Sequence, residues 1–200
     1  MCTEHYYYMV NKPSNMVSQF ISSHNVPLLG NLDFNFAAGT HAIGRLDKPS
    51  EGLLLLTTDT TITNLLFHSG TPHPRIYLVM VKNVISDSTV QLMQQGLVLP
   101  SRQKEGNYTT LPCLVEKITT PTLIYPYATD PREAYPHSWL RIILTQGKYR
   151  QIRKMCSAVH HHCMRLIRVG IQDMALGATP PGTVVRYTKP EFFEKLQLTL

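Results

Sequence analysis

Four charged side chains, Arg45, Asp47, Lys48 and Glu51, stand close together in the segment Gly44-Arg45-Leu46-Asp47-Lys48-Pro49-Ser50-Glu51-Gly52. The segment leads from Ala42-Ile43 into the run Leu53-Leu54-Leu55-Leu56. A short apolar run bounded by turn signals reads as a fully buried strand, and the run by itself also fits a buried helix. Charges on a loop fixed between two core-bound segments suit a reaction site, because rigid elements hold loop side chains in place. A charged surface turn between strands fits the same residues.

A second group of residues has the chemistry of phosphate recognition. Arg141, Lys148, Arg150, Arg153, Lys154, Arg165 and Arg168 fall within one segment that contains no Asp or Glu. Their charge exceeds the net +6 of the whole chain, so the basic field belongs to this segment. Such a stripe is the electrostatic footprint of a phosphate-backbone binder. The competing reading, a solvated helix face, usually comes with acidic partners three or four positions away, and the segment has none. The spacing of Ile152, Met155, Cys156 and Val159 predicts a helix over 149–159 with one buried face. At about 100° per residue, Arg153 borders that face, Lys154 points away, and Arg150 lies on Arg153's side but farther round. Arg153 is therefore the cation placed to reach into a cleft wall, while Arg150 and Lys154 suit phosphate contacts.

The wording of the charged segment, G-R-L-D-x-x-S-E-G-L-L-L-L-T-x-D from Gly44 to Asp59, resembles the catalytic motif of RNA pseudouridine synthases of the RsuA family. It is most like the RluE-type enzymes that act on large-subunit ribosomal RNA. N-K-P-x-x-x-x-x-Q-F (Asn11 to Phe20), Arg75-Ile76-Tyr77, G-x-x-R-Q-I-R-K-M (Gly147 to Met155) and R-L-I-R-V (Arg165 to Val169) resemble further motifs of the family. The likeness extends from about Asn11 to Tyr187. It implies an α+β fold: a mixed, mostly antiparallel β-sheet in two lobes with a few helices and an RNA cleft between the lobes. Residues 1–200 are then one catalytic domain, without the small N-terminal RNA-binding domain of many relatives.

The resemblance implies that Asp47 is the catalytic aspartate, a nucleophile at C1′ or a base at C2′ of the target uridine. Arg153 matches the arginine that pairs with it, and Tyr77 the tyrosine that stacks on the uracil and offers a hydroxyl for the C5 proton. Leu166 matches an apolar residue near the target base, a place where an ordinary core leucine fits as well. Arg45, Arg150, Lys154, Arg165 and Arg168 complete the expected substrate contacts. The reaction breaks the N1–C1′ bond, turns the uracil and rejoins it through C5; nothing is oxidised and no group leaves, so no cofactor is expected. A structured stem-loop of ribosomal RNA is the expected substrate, with the uridine flipped out, and a monomer the expected state. A non-catalytic RNA-binding or assembly protein on the same fold is the alternative.

Two departures stand out. Arg75 replaces a common family lysine. His160-His161-His162-Cys163 stands where relatives commonly have a glycine that would cap the preceding helix in the left-handed conformation. Histidine tolerates that conformation better than most residues, though less well than glycine. With Cys156 the histidines suggest zinc, but adjacent histidines do not all converge on one ion and no second Cys/His pair occurs, so no metal is expected.

Several elements must position these residues. The sequence predicts a first strand over 5–10 ending at Pro13, and a loop over 27–39. A short helix to Phe67 capped by Asp59 or Thr60, a strand over 76–82 and a helix over 86–95 closed by Gly96 follow. Further strands are predicted over 108–118, with Pro112 marking an edge or bulge, and over 139–145, 165–171 and 184–187. A proline-rich loop occupies 121–136, and a last helical turn or two 190–196. Composition agrees with a globular chain: 43% hydrophobic and 16% charged residues in a length of 200. No run approaches the roughly 20 apolar residues of a membrane span, and residues 1–8 lack the pattern of a secretory signal. The four cysteines (Cys2, Cys113, Cys156, Cys163) form no C-x-x-C pair, so reduced thiols and a cytoplasmic location are expected.

Overall fold

The computed structural model describes residues 4–67, 70–101, 106–121 and 131–199. Cys2 and most of the proline-rich loop, 122–130, lie outside the described residues. The chain divides into two compact units, Met1–His73 with Ile167–Leu200, and Pro74–Leu166.

In the first unit β1 (Tyr7–Lys12) ends where Pro13 can no longer donate to a ladder. After a loop that holds one 3-10 turn (Leu29–Asn31), β2 (His41–Ile43) and β3 (Glu51–Thr57) flank the charged turn. The leucine run is strand: β1 pairs antiparallel with β3, Val10 opposite Leu54, and Leu53 to Leu56 are fully buried on both faces. Leu54 and Leu56 pack with Tyr8, Val10, Met16, Leu29 and Leu46. Glu51 is the first residue of β3 and is buried, so it is not one of the loop charges that the sequence pattern implied. α1 (Ile62–Phe67) starts from Thr61, whose carbonyl accepts its first bonds, rather than from the expected Asp59 or Thr60. Asp59 holds the turn before it, accepting from the Thr61 N–H at 3.0 Å and the Thr61 hydroxyl at 2.7 Å.

The second unit opens with β4 (Arg75–Lys82), in which Val79 and Val81 face the unit's core and Tyr77 packs against it. α2 (Asp87–Gln95) starts at Ser86, whose hydroxyl accepts from the Thr89 N–H at 3.1 Å, and stops at Gly96, with φ at +105°. The single strand expected over 108–118 is two. β5 (Val98–Pro100) pairs with β6 (Asn107–Thr109) in a small ribbon, while β7 (Leu114–Ile118) pairs with β8 (His137–Leu144). Pro112 lies between β6 and β7, where its missing N–H breaks the ladder. β8 also pairs antiparallel with β4, Ile142 opposite Tyr77.

α3 (Gln151–Ala158) begins two residues later than its periodicity predicts, because Arg150 takes a left-handed φ of 52°. It buries Ile152, Met155 and Cys156, the expected face. Its end is the cap that a glycine would serve. His160 has φ 62°, its N–H reaches the Ser157 carbonyl at 3.0 Å, and the His161 N–H reaches the Cys156 carbonyl at 2.9 Å. These are the two bonds of a Schellman closure. His160→Gly should therefore raise stability by about 1 kcal/mol, the typical left-handed penalty of a residue with a Cβ; a Tm equal to or below wild type would contradict this.

β9 (Cys163–Ile171) contributes residues up to Leu166 to the second unit and those from Ile167 to the first. In the first unit it runs parallel to β3, Gly52 opposite Arg168, and carries β10 (Met174–Ala175) antiparallel on its end. β11 (Val184–Tyr187) closes the other side of β1, and α4 (Lys189–Lys195) follows with a Thr188–Glu191 capping box. Phe192 and Phe193 pack on Tyr7, with ring centroids 5.0 and 6.0 Å away. The architecture is the expected α+β fold: mostly antiparallel strands, a parallel pairing of β3 with β9, and few helices.

Candidate active site

Asp47 lies in the turn between β2 and β3, partly exposed, with Arg45 and Lys48 in solvent on either side. The turn is tied from three directions. Its own backbone closes through the Ser50 N–H and the Asp47 carbonyl at 2.9 Å. On the near side the Ser18 hydroxyl bonds to both peptide groups of Leu46, donating to the carbonyl at 2.9 Å and accepting from the N–H at 3.0 Å. On the far side the Lys12 ammonium donates to the carbonyls of Lys48 (3.3 Å), Pro13 (2.7 Å) and Met16 (2.7 Å).

Lys12 is 0% exposed. Burial draws its pKa down to about 8, and the charges of Glu51 and Asp47 resist the fall. A lysine ordinarily titrates near 10.4. Between these two values the unfolded chain binds more protons than the folded one, so stability should rise with pH across that window. The gain attributable to Lys12 is of order 3 kcal/mol, since each pH interval of one is worth about 1.4 kcal/mol. Subtracting the stability–pH curve of Lys12→Met from that of wild type isolates it; a difference curve flat from pH 8 to 10 would refute the assignment.

Asp59, the other carboxylate of the motif, has a structural task. It also accepts from the Tyr7 hydroxyl at 3.1 Å. Burial pushes its pKa up, but the bonds from Thr61 and Tyr7 and the nearby His5 outweigh burial and hold it below the ordinary value. The same pair pushes the Tyr7 phenol upward, by burial first and then by the bond to Asp59.

Tyr77, Arg150, Arg153, Lys154, Arg165 and Leu166 belong to the second unit, Asp47, Arg45 and Arg168 to the first. Arg153 borders the buried face of α3 as its angle predicts, partly buried, with Nη1 3.3 Å from the Cys163 carbonyl and 3.7 Å from its sulfur. Cys156 and Cys163 are buried together. The hydrogen bond between the thiols, first, and then burial raise Cys156; the same bond lowers Cys163, against burial and with help from Arg153. Arg150 is exposed, and Lys154 lies over the exposed Tyr149 ring, 5.7 Å from its centroid, with Nζ 2.7 Å from the Pro100 carbonyl.

Other residues of the basic stripe behave differently from the sequence expectation. Arg165 and Arg168 are only 6% and 4% exposed, because β9 is buried along most of its length. The Arg168 Nε donates to the Leu53 carbonyl at 2.7 Å, so this guanidinium fastens β3 rather than facing solvent. Arg141 has an acidic partner after all: Glu116, directly across β7–β8, at 2.9 Å. Leu166 lies in the core of the second unit. Arg75 is buried with Nη1 3.4 Å from the Thr145 carbonyl. The histidines at 160–162 serve the helix end and the neighbouring strand, His161 Nδ1 lying 2.9 Å from the Lys82 carbonyl. Among the described residues no group of three His, Cys, Asp or Glu is placed to hold a metal ion, and no helix is long and apolar enough to cross a membrane.

Sequence reasoning missed Lys12 and Ser18 as the side chains that hold the turn around Asp47, and Gln151 as the one that holds the loop before α3. Gln151 is buried and ties the loop before α3, its Oε1 accepting from the Lys148 N–H at 3.1 Å and its amide donating to Gln146 at 3.1 Å. The only available signal for these was their place inside two motifs.

Residues 6–158 match the family model of RNA pseudouridylate synthases. The chain is 32% identical over 178 residues to the ribosomal large subunit pseudouridine synthase E of Xanthomonas campestris, covering 87% of this chain and 91% of that protein. It is 29% identical over 190 residues to the dual-specificity RNA pseudouridine synthase RluF of Shigella flexneri, covering 94% of this chain and 57% of the relative. Among solved structures, a crystal structure of a pseudouridylate synthase superposes with a TM-score of 0.75 at 25% identity, over 96% of this chain and 74% of that one. The chain belongs to the RNA pseudouridylate synthase family.

Proposed function

We propose that this protein isomerises a uridine of large-subunit ribosomal RNA to pseudouridine. The observation that carries the reading is the likeness to the large-subunit enzyme of Xanthomonas campestris along nine-tenths of that relative, with the charged turn inside the matched region. Asp47 is the reacting carboxylate, at C1′ as nucleophile or at C2′ as base. Arg153 supplies the positive charge that favours its ionised form. Tyr77 stacks on the uracil, and its phenolic oxygen takes the C5 proton once the base has turned, passing its own proton on to water. The uridine leaves its stack to be reached, at a cost of a few kcal/mol, and a stem-loop presents it at least expense because its loop bases are already partly unstacked. The enzyme acts as a monomer, without a cofactor, and Arg45 contacts the RNA beside Asp47. Mapping pseudouridines in large-subunit RNA incubated with and without the protein tests the reading. An unchanged map, with the protein folded and RNA-bound, would end it.

Arg150 and Lys154 carry the phosphate contacts in this proposal. Replacing each with Gln should weaken RNA binding and flatten the slope of log K against log salt by roughly 0.7 to 0.9 per lost contact. A slope that neither change moves would put the RNA face elsewhere.

A further inference from the structure

We infer that Ser18 is a positioning residue for the reaction, setting the orientation of the Asp47 carboxylate through the peptide groups of Leu46. The inference rests on Asp47 being the reacting group. Leu46 lies beyond the end of β2 and before the start of β3, so no strand partner is available to its backbone in that turn. The Ser18 hydroxyl takes the place of that partner, bonding the Leu46 carbonyl at 2.9 Å and the Leu46 N–H at 3.0 Å. One small side chain thereby fixes both peptide planes on the N-terminal side of Asp47. Both partners are buried, Ser18 at 5% and Leu46 at 7% exposed, so water cannot easily substitute for the hydroxyl.

Ser18 is itself anchored. The residues on either side of it bond to a neighbouring segment, the Val17 N–H to the Pro27 carbonyl at 3.0 Å and the Gln19 carbonyl to the Leu29 N–H at 3.0 Å. The Leu46 side chain packs in the first unit's core with Leu54 and Val10. The far side of Asp47 is held by Lys12 at the Lys48 carbonyl. Asp47 is thus the partly exposed residue of a turn whose two neighbouring backbone positions are both fastened to the same segment, 12–18. Loss of the Ser18 hydroxyl releases one of these fastenings and leaves the core packing of Leu46 in place. The turn should stay folded while the carboxylate loses its fixed aim, and a misplacement near 1 Å can cost about a hundredfold in rate.

The test compares Ser18→Ala, Ser18→Thr and Asp47→Asn with wild type in single-turnover pseudouridine formation, with enzyme in saturating excess over RNA. Under these conditions the rate constant reports the chemical step, and an unfolded fraction does not lower it. Ser18→Ala should slow the step by roughly ten- to a hundredfold with RNA Kd within about twofold of wild type. Ser18→Thr, which keeps the hydroxyl, should recover most of the rate. Hydrogen exchange gives a second readout: in Ser18→Ala the Leu46 amide should lose protection while the amides of Leu53 to Leu56 keep theirs. A wild-type rate in Ser18→Ala beside an inactive Asp47→Asn would overturn the inference and leave the Asp47 reading standing. Parallel loss of RNA affinity, of β3 protection and of the Thr rescue would make Ser18 a purely structural residue, which also overturns it. An active Asp47→Asn would overturn the Asp47 assignment, and the inference with it.

Discussion

Asp47→Asn is expected to abolish pseudouridine formation, by about a thousandfold or more given what a positioned proton-transfer or nucleophilic carboxylate contributes, while leaving the protein folded and bound to RNA. The amide has the shape of the carboxylate. Four bonds that hold the turn act on its backbone: two from Ser18 on Leu46, one from Lys12 on the Lys48 carbonyl, and one from the Ser50 N–H on the Asp47 carbonyl. None of these bonds uses the Asp47 side chain. Affinity for RNA should hold or increase, because a negative charge has been removed from the surface proposed to meet phosphates. Catalysis should stop because an amide neither attacks C1′ at a useful rate nor removes a C2′ proton. The measurement is tritium release from C5-labelled uridine in RNA, with Tm and RNA Kd determined for the same preparations.

The neighbouring carboxylates make informative controls because the structure gives them other tasks. Asp59 accepts three bonds, from Tyr7 and twice from Thr61. Asp59→Asn should lower Tm and leave the turnover of the folded fraction near wild type. Glu51 is buried at the head of β3 beside the Lys12 charge, so Glu51→Gln should also register in stability first. Substantial tritium release from a folded Asp47→Asn variant, or a loss of turnover in Asp59→Asn as deep as in Asp47→Asn, would remove Asp47 from the centre of the chemistry.

Most of the secondary structure was legible because local signals coincided with tertiary demand. The leucine run reads as a buried strand and is one, and Ser86 and Gly96 bracket α2 where side-chain capping and a positive φ place them. Where the reading went astray, the deciding partner lay far along the chain or the backbone did something residue types do not announce. Periodicity carried α3 back to Tyr149, but the left-handed turn at Arg150 ends the helix sooner. The basic stripe looked uniform in sequence. In the structure Arg141 meets Glu116 from a different strand, Arg165 and Arg168 are buried along β9, Lys154 is partly buried, and Arg150 stands exposed just before α3. The catalytic candidate itself was legible only through the motif around it. Lys12 shows why: a lysine is among the residues least expected in a core, and nothing in Asn-Lys-Pro tells that its ammonium holds three carbonyls.

Gly52→Ala is expected to destabilise the protein by about 3 to 5 kcal/mol, among the largest effects a single methyl can have. Two independent costs add at this position. Gly52 has φ at +98°, where a residue with a Cβ is strained. A Cβ built there would also lie 2.2 Å from the Arg168 carbonyl oxygen and 2.9 Å from its nitrogen, and both are backbone atoms of the paired parallel strand that cannot swing aside. Relief requires β9 to move off β3 where Gly52 faces Arg168, which would pull the Arg168 guanidinium from the Leu53 carbonyl. Gly52 also pairs with Lys12 on β1, so the displacement reaches the ammonium that holds the Lys48 carbonyl beside Asp47. The variant should therefore lose activity in proportion beyond its folded fraction. Urea unfolding gives the first number and single-turnover rates at saturating enzyme the second. The glycine of the motif would then owe its place to the close approach of a parallel strand, a long-range demand made 116 residues away at Arg168. An Ala variant with wild-type midpoint and rate would show that the two strands part there at no cost, and that the tight approach of β3 to β9 does not hold the active turn.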